Sequence, residues 1–388
     1  MKTLPELCNI TTGKLDANSA IENGLYPYFT CGETPSRIDT YAFDEDAILI
    51  AGNNAQGNFH VSRYSGKFNA YQRTYVLTAK NNSNLDFIYY SLKLSLKELK
   101  NRSQGSQTKF LTMPILGNIS INDNLNQQKI AAVLSALDDK IALNRRMNAK
   151  LEQMAKRLYA QWFVQFDFPN ESGKPYKASG GKMIWNEILK HEIPVGWEVK
   201  SVNDISISNR GVGYSADDEK SVNDKDVVLI LRGNNISNNH IIYDSNTVYL
   251  DKSFVADEQK IYKYDIVMTM SSGSKEHVGK SAMFLFNSSH SYGAFCNKIT
   301  PNKDCQFFLE NYLHSEFFKK YIKITCSGTG INNLTNEHFD KALFAFPTEK
   351  LLKSFNEKKL DQFMNKWEFW SKKSKNLHSC ATGFCRCL

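Results

Sequence analysis

The chain has 388 residues, 41% of them hydrophobic and 23% charged, which describes an ordinary globular protein of two or three domains. No apolar run approaches the length of a membrane span, and MKTLPELCNITTG places Pro5 and Glu6 where a signal peptide needs an apolar stretch, so a cytoplasmic location is expected. The net charge of +8 makes nucleic acid the leading specific partner, set against a basic protein with no polyanionic partner at all.

The first element series runs to residue 122. Short β-branched runs, AILIA from Ala47 and RTYVLTA from Arg73, read as strands, and LDFIYYSLKLSLKELKN from Leu85 reads as an amphipathic helix. The long stretch from Leu134 to Phe163 contains no Gly or Pro. Stepped alternately by three and four from Ile130, its seam is Ile130, Leu134, Leu137, Ile141, Asn144, Asn148, Leu151, Ala155, Leu158 and Trp162. That pattern is a coiled-coil seam, roughly 50 Å long at about 1.5 Å per residue. Such a seam cannot bury itself alone. The expected partner is a C-terminal helix offering Phe363, Trp367 and Trp370, while buried Asn144 and Asn148 would fix its register.

FDFPNESGKPYKASGGKMIW, from Phe166, is rich in turn residues and reads as a linker. A second series of strand signals follows: DVVLILRG from Asp226, NTVYL from Asn246 and DIVMTM from Asp265. This half repeats the first. Aligning Gly105 with Gly328 also aligns Leu111 with Leu334 and Thr112 with Thr335. Upstream, DAILIAGNNAQGNFHVS from Asp46 parallels DIVMTMSSGSKEHVGKS from Asp265, each an aspartate, an apolar run, a polar loop and a histidine. Each globule is expected to be a mixed α/β domain with a curved antiparallel sheet.

The order globule, helix, globule, helix resembles the specificity (S) subunit of type I restriction–modification systems. The features that carry the resemblance are NQQKIAAVLSALDDKIALNRRMNAKLEQMAKRLYAQWFVQFDFP and GKPYKASGGKMIWNEILKHEIPVGWEVKSVNDI. The likeness covers the whole layout, is specific from about Gln127 to Ile205, and is weak within the globules. It implies an α+β chain with two mixed α/β target recognition domains separated by a long antiparallel coiled-coil helix pair. The implied divisions are 1–122 and 199–346 for the recognition domains, 123–165 and 347–377 for the conserved helices, 166–198 for the linker and 378–388 for an aberrant tail. It further implies double-stranded DNA as ligand, with two methyltransferase (M) subunits and restriction (R) subunits as partners. No cofactor is expected on this chain; S-adenosylmethionine and ATP with Mg would sit on the partners. DNA rises about 3.4 Å per base pair, so a rod of this length would hold two readers a helical turn or more apart.

Polar loops supply the candidate DNA contacts. In the first globule these are Asn53, Asn54, Gln56, Asn58, His60, Arg63, Gln104, Gln107 and Lys109. In the second they are Arg232, Asn234, Asn235, Ser274, Lys275, His277, Lys280, Asn332 and Asn333. Asn and Gln pair with adenine edges and Arg or Lys with guanine, while the same loops could equally be solvated turns. No catalytic residue is expected. There is no GxGxxG opening a helix, no P-loop and no Asn/Asp-Pro-Pro-aromatic motif, since the DFP at Asp167 lacks its second Pro. A modification-only or non-functional orphan subunit, or a coiled-coil scaffold without a DNA role, are the alternatives.

Of the eight cysteines, Cys8, Cys31, Cys296, Cys305 and Cys326 read as reduced structural thiols, without metal spacing. Cys380, Cys385 and Cys387 crowd into the closing HSCATGFCRCL, which fits neither a helix nor the family. Read from the third base of the His378 codon, that tail is compatible with LRDWLLPM, close to the ending of many family members. A frameshift after about Leu377 is the expectation that follows.

Overall fold

The computed structural model describes residues 1–55, 57–103, 108–122, 126–243, 247–326 and 332–357. The chain divides into two compact units, and the division falls inside the long helix, between Met147 and Asn148.

Unit 1 contains β1 (Lys2–Thr3), α1 (Leu4–Leu7), β2 (Cys8–Thr12), β3 (Tyr26–Phe29), β4 (Ser36–Ile38), β5 (Phe43–Ala51), β6 (Asn53–Asn54), β7 (Val61–Ala70), β8 (Thr74–Ala79), α2 (Leu85–Arg102), β9 (Lys109–Phe110), α3 (Met113–Gly117) and β10 (Ser120–Ile121), before α4 (Gln127–Tyr159). Six strands form one sheet in the order β2-β8-β5-β7-β3-β4, antiparallel except where β3 runs beside β7. Successive strand residues point to opposite faces, so the unbroken apolar run Ala47–Ala51 demands cover on both. Ile48 and Ile50 pack with Leu77, Phe87 and Ile88 under α2; Ala47 and Leu49 pack with Phe29, Phe68 and Val76 on the other face.

Unit 2 contains β11 (Met183–Asn186), β12 (His191–Pro194), β13 (Glu198–Ser201), β14 (Ser206–Arg210), β15 (Val227–Leu231), β16 (Ile236–Ser237), β17 (His240–Ile241), β18 (Val248–Asp251), β19 (Ile266–Thr269), β20 (Ser271–Ser272), β21 (Ser281–Met283), β22 (Ser291–Tyr292), β23 (Cys296–Pro301), α5 (Gln306–Leu313), α6 (Glu316–Thr325), β24 (Asn332–Asn333), α7 (Asn336–Lys341), β25 (Leu343–Phe346) and α8 (Glu349–Phe355). It repeats the main sheet plan of unit 1, divided into a four- and a three-stranded sheet, with β21 and β22 together in the place of β7 and the hairpins β11–β12 and β16–β17 added. The order β14-β23-β19-β21 reproduces β2-β8-β5-β7. β15 lies parallel to β22 with β18 beyond it, as β3 lies parallel to β7 with β4 beyond. β13 pairs with β25 as β1 pairs with β10.

The repeat extends to single hydrogen bonds. Leu111 N–H donates to the Gly52 carbonyl (2.9 Å), and Leu334 N–H donates to the Met270 carbonyl (2.7 Å). Thr112 and Thr335 occupy the N-cap positions of α3 and α7. Gly13 and Gly211 both follow the first sheet strand, where the chain passes hard against a neighbour. A Cβ at Gly13 would lie 1.8 Å from the Ala70 carbonyl oxygen, and one at Gly211 2.3 Å from that of Gly293. The histidines do not correspond. Ala51 N–H donates to the His60 carbonyl and Thr269 N–H to the Lys280 carbonyl, so Lys280, not His277, holds the place of His60.

The central stretch is one helix of 33 residues. All ten seam positions from Ile130 to Trp162 are buried or half-buried, while Arg145, Arg146 and Lys150 are exposed. Ala131, with Ile130 against it, belongs to the core of unit 1; Tyr159 and Trp162, with Ala155 and Leu158, belong to that of unit 2. The helix ends differently from expectation. Five residues, Ala160–Val164, widen to a π turn, and Phe166 adopts a left-handed φ of 62° without being glycine. Its ring is buried 5.4 Å from that of Trp197.

Segment 166–198, expected as a linker, is built structure. Phe168 stacks on Tyr176 (4.6 Å) and Trp197 (5.4 Å), and β11 pairs with β12 in a hairpin. Pro, Gly and Ser gave correct turns there, but aromatics between them carry the chain into the core. The aromatic stretch after Cys305 is likewise two helices, because Ser315 accepts the Phe318 N–H (3.2 Å) and caps the second.

Of the expected C-terminal helix, α8 and the turn to Glu357 are described. Phe355 packs on Phe163 (4.8 Å) and Trp162 (5.3 Å), so the two helices meet at that end. Phe363, Trp367, Trp370 and the tail 378–388 lie outside the described residues. Among the described cysteines all are free thiols, with Cys31 alone partly open. Burial pushes Cys8 and Cys305 up to about 11 and Cys296 up to about 12, which keeps them as inert thiols. No described helix is long and apolar enough to cross a membrane.

Candidate nucleic-acid interface

In both units the central strand continues past the sheet into a two-residue ribbon. In unit 1, β6 pairs with β9, setting Asn53 opposite Phe110 and Asn54 opposite Lys109. In unit 2, β20 pairs with β24, setting Ser271 opposite Asn333 and Ser272 opposite Asn332. The Ser271 hydroxyl donates to Asn333 Oδ1 at 2.5 Å. The sequence pairs these segments across 55 or more residues, so each ribbon is a tertiary product.

Around the unit 1 ribbon, Asn54 Oδ1 accepts the Asn58 N–H (2.9 Å), and Lys100 Nζ donates to Asn58 Oδ1 (2.9 Å). Gly57 turns the loop at φ 73°. Asn53 Oδ1 is buried and has no hydrogen-bond partner among the described residues. His60 is half-buried at the loop's return. Gln56, Gln104 and Gln107 lie outside the described residues.

Arg63 is committed elsewhere. It holds Asp46 bidentately, Nη1 to Oδ1 at 2.5 Å and Nη2 to Oδ2 at 2.6 Å, and its Nε reaches Asp86 at 3.0 Å. The Arg63 hydrogen bonds hold the Asp46 carboxyl below its ordinary range. Arg63 therefore ties β7 to β5 and α2, and is corrected from a DNA contact to a structural clamp.

Unit 2 gathers several candidates at one hollow of about 570 Å³, lined by Arg232, Asn234, Ser271, Ser272, His277 and Phe295 among others. Asn235 does not face it. Its side chain is fully buried, accepting the Arg232 N–H (2.9 Å) and donating to the Ile242 carbonyl (3.2 Å), so it too is structural. Tyr214 lines the same hollow, and burial raises its hydroxyl, opposed by the Arg232 guanidinium. Lys275 and Lys280 instead line a second hollow of about 430 Å³ with Asn238, Asn239, Lys319 and Lys323. Lys280 Nζ bridges back to His277 Nδ1 at 3.3 Å. Ser274 is exposed between them, its N–H on the Ser272 hydroxyl (3.2 Å). For Asn332 only the backbone is described.

Unit 1 has a corresponding hollow of about 360 Å³ between its ribbon and the turn at Arg73, lined by Thr12, Gly52, Arg73, Phe110 and Thr112 among others. Arg73, Tyr214 and Phe295 carried no motif. Their signal was positional, and would have required knowing which turn abuts which ribbon. Among the described residues no group of three or more His, Cys, Asp or Glu is arranged to hold a metal ion. Asp167 is occupied in its loop, where Oδ1 accepts the Ala178 N–H (2.8 Å).

Residues 1–153 match the family described as type I restriction modification DNA specificity domain. The chain is 36% identical over 178 residues to the EcoDI specificity subunit of a type I restriction enzyme from Escherichia coli, covering 45% of this chain and 39% of that protein. It is 35% identical over 162 residues to the StySPI specificity subunit from Salmonella potsdam, covering 40% and 34%. The matched region thus spans under two fifths of each of these relatives. The crystal structure of a type I restriction–modification S subunit from M. genitalium superposes with a TM-score of 0.62 at 15% identity, covering 99% of this chain and 94% of that one, a likeness of fold.

Proposed function

We propose, from the match of residues 1–153 to the type I restriction modification DNA specificity domain, that this chain is a specificity subunit reading a split target in duplex DNA. The observation that carries the reading is the repeat itself. Two units with one strand plan each end their central strand in a ribbon flanked by Asn, Ser and Lys loops. Two copies of one reader on one chain suit two blocks of sequence with unread base pairs between them. Base edges in the major groove carry the code, and side chains of this type can read it.

The chemistry would belong to partners, two methyltransferase subunits with S-adenosylmethionine and restriction subunits with ATP and Mg. This chain would supply the address. Its long helix and the helix beginning at α8 would form the spacer and the docking surface, through Ile130, Leu134, Leu137, Ile141, Leu151 and Leu158. Asn144 is fully buried and neither polar atom of its amide has a partner among the described residues; the same holds for Asn148 Oδ1. An unpaired buried amide costs about 1–3 kcal/mol, so these two act as register pins rather than as stabilisers. Asn144→Leu should then raise the unfolding free energy by about 1–3 kcal/mol in denaturant melts while broadening the assembly states seen by light scattering. A lower stability would count against the pin.

The deciding experiment co-expresses the full chain with its methyltransferase subunit in a methylation-free host and maps modified adenines by sequencing. A motif of two specified blocks separated by a fixed run of unspecified bases is expected. A contiguous motif, or no methylation from a complex that assembles, overturns the reading. In the latter case, a salt-insensitive DNA affinity would favour the scaffold alternative.

A further inference from the structure

The repeat makes one pair of positions equivalent that the sequence does not match. A tight turn precedes the last sheet strand in each unit. In unit 1 it is Tyr71-Gln72-Arg73-Thr74, closed by the Thr74 N–H on the Tyr71 carbonyl at 2.8 Å. In unit 2 it is Gly293-Ala294-Phe295-Cys296, closed by the Cys296 N–H on the Gly293 carbonyl, also at 2.8 Å. Each turn is locked to the base of its ribbon through the carbonyl of its third residue. Gly52 N–H donates to the Arg73 carbonyl and Met270 N–H to the Phe295 carbonyl, each at 2.8 Å. The third residue is therefore fixed beside the ribbon in both units.

Those side chains are open and unlike each other. The Arg73 guanidinium lies over the ring of Phe110 on the ribbon, 5.2 Å from its centroid, in an exposed residue. Such stacking leaves the edge of the guanidinium with its donors free to point outward. Phe295 is 67% exposed, a large apolar side chain held up by a rigid turn at the mouth of the unit 2 hollow. Neither side chain is needed to close the sheet, since the lock uses backbone atoms alone.

We propose that Arg73 and Phe295 are a matched pair of specificity-determining residues, one per half-target, with Arg73 reading a guanine edge and Phe295 a thymine methyl group in the major groove. The proposal rests on the DNA-reading function above. Arginine presents two donors in the spacing of guanine O6 and N7, and apolar side chains distinguish thymine by its methyl group. One equivalent place would thus be tuned to different bases by a single residue, with the turn and ribbon unchanged.

The test uses the full chain co-expressed with its methyltransferase subunit and reads the methylated motif by sequencing. The wild type must first give a split motif; if it does not, the function fails and not this assignment. Arg73→Ala is expected to make one guanine-containing position degenerate in one half only, with discrimination falling roughly ten- to hundredfold, the range expected for a lost bidentate contact. Phe295→Ala is expected to make one thymine-containing position degenerate in the other half only. Both variants should assemble and melt as the wild type does. Arg73→Lys keeps the charge without the bidentate fork. If it restores the motif and Arg73→Ala only lowers methylation uniformly, Arg73 is a phosphate contact and the base-reading assignment is overturned. An unchanged motif in Phe295→Ala overturns the assignment for that residue.

Discussion

The two units each carry an aspartate early in the central-strand segment, one residue out of register, and treat them in opposite ways: matching Ala51 with Thr269 gives Asp265 the place of Ala47, not of Asp46. Asp46 lies within β5 at the surface, with its side chain 54% exposed and Arg63 of β7 shared between it and Asp86. Asp265 precedes β19 in the interior, its side chain 3% exposed, 3.6 Å from Lys298 of β23. There it also accepts the Tyr262 N–H (2.7 Å) and the Thr300 hydroxyl (2.6 Å), and Lys298 donates to the Lys260 carbonyl (2.7 Å). The one-residue offset puts the two carboxylates on opposite faces of the central strand, and with that goes which strand supplies the cation and whether water reaches the pair. A buried pair survives only with every donor and acceptor matched; an open one tolerates loss.

The sharpest way to break that comparison is to remove both carboxylates. Asp265→Ala leaves the Lys298 ammonium buried and uncompensated, and should cost unit 2 about 3–5 kcal/mol in denaturant melts. Asp46→Ala leaves Arg63 with Asp86 and water, and should cost less than about 1 kcal/mol. Equal costs would show that the two sites are energetically alike. The opposite test is the glycine pair, where the units should behave identically. Gly13→Ala and Gly211→Ala each drive a Cβ into a backbone carbonyl, and each should destabilise its own unit by about 1–3 kcal/mol. Hydrogen exchange, resolved by unit, would show whether each loss stays local.

The smallest effect separates the units by pH. In unit 2, Glu310 of α5 is pushed up to about 7 by burial and then by the Glu152 carboxylate, against the pull of His240 and Lys156. His240 Nε2 pairs with Glu152 Oε1 at 3.0 Å, and that bond raises the imidazole above its ordinary value. A carboxyl raised from 4.5 to about 7 adds stability that is present below about pH 4.5 and lost as pH rises through about 7. His240 has the same sign. His314, pushed down to about 4 by burial, has the opposite sign and loses its contribution as pH falls from 6.5. Glu310→Gln should therefore melt close to wild type at pH 5 and a few degrees above it at pH 8. A melting difference that does not grow with pH would show that Glu310 stays charged without cost.

Much of the frame was legible because it is written in local patterns. The runs at Ala47, Arg73, Val227 and Ile266 are strands, and the Gly-free stretch from Gln127 is one helix. The alignment of Leu111 with Leu334 named two residues that make the same hydrogen bond. The linker was misread because turn residues mark where a chain bends and say nothing of whether Phe166, Phe168 and Trp197 between the bends find a core. His60 and His277 were matched by order along the chain, whereas pairing across the loop gives Lys280 the place of His60.

The candidate site was legible in part. Polar loops nominated Asn53 and Asn54, which lie in the unit 1 ribbon, and Arg232 and His277, which line the unit 2 hollow; the same composition also nominated Arg63 and Asn235, which are held by Asp46 and by the Ile242 carbonyl. Residue type cannot show which bonds a polar side chain is committed to, since that depends on partners 7 to 23 residues away. By itself the sequence determined the periodic features: the helix seam, the apolar central strands, and the order of elements repeated in the two halves. Tertiary structure alone decided which turn lies against which ribbon, and so placed Arg73 and Phe295 at one equivalent point. Periodicity is set by each residue's own backbone geometry, but juxtaposition is set by packing between segments far apart in the chain.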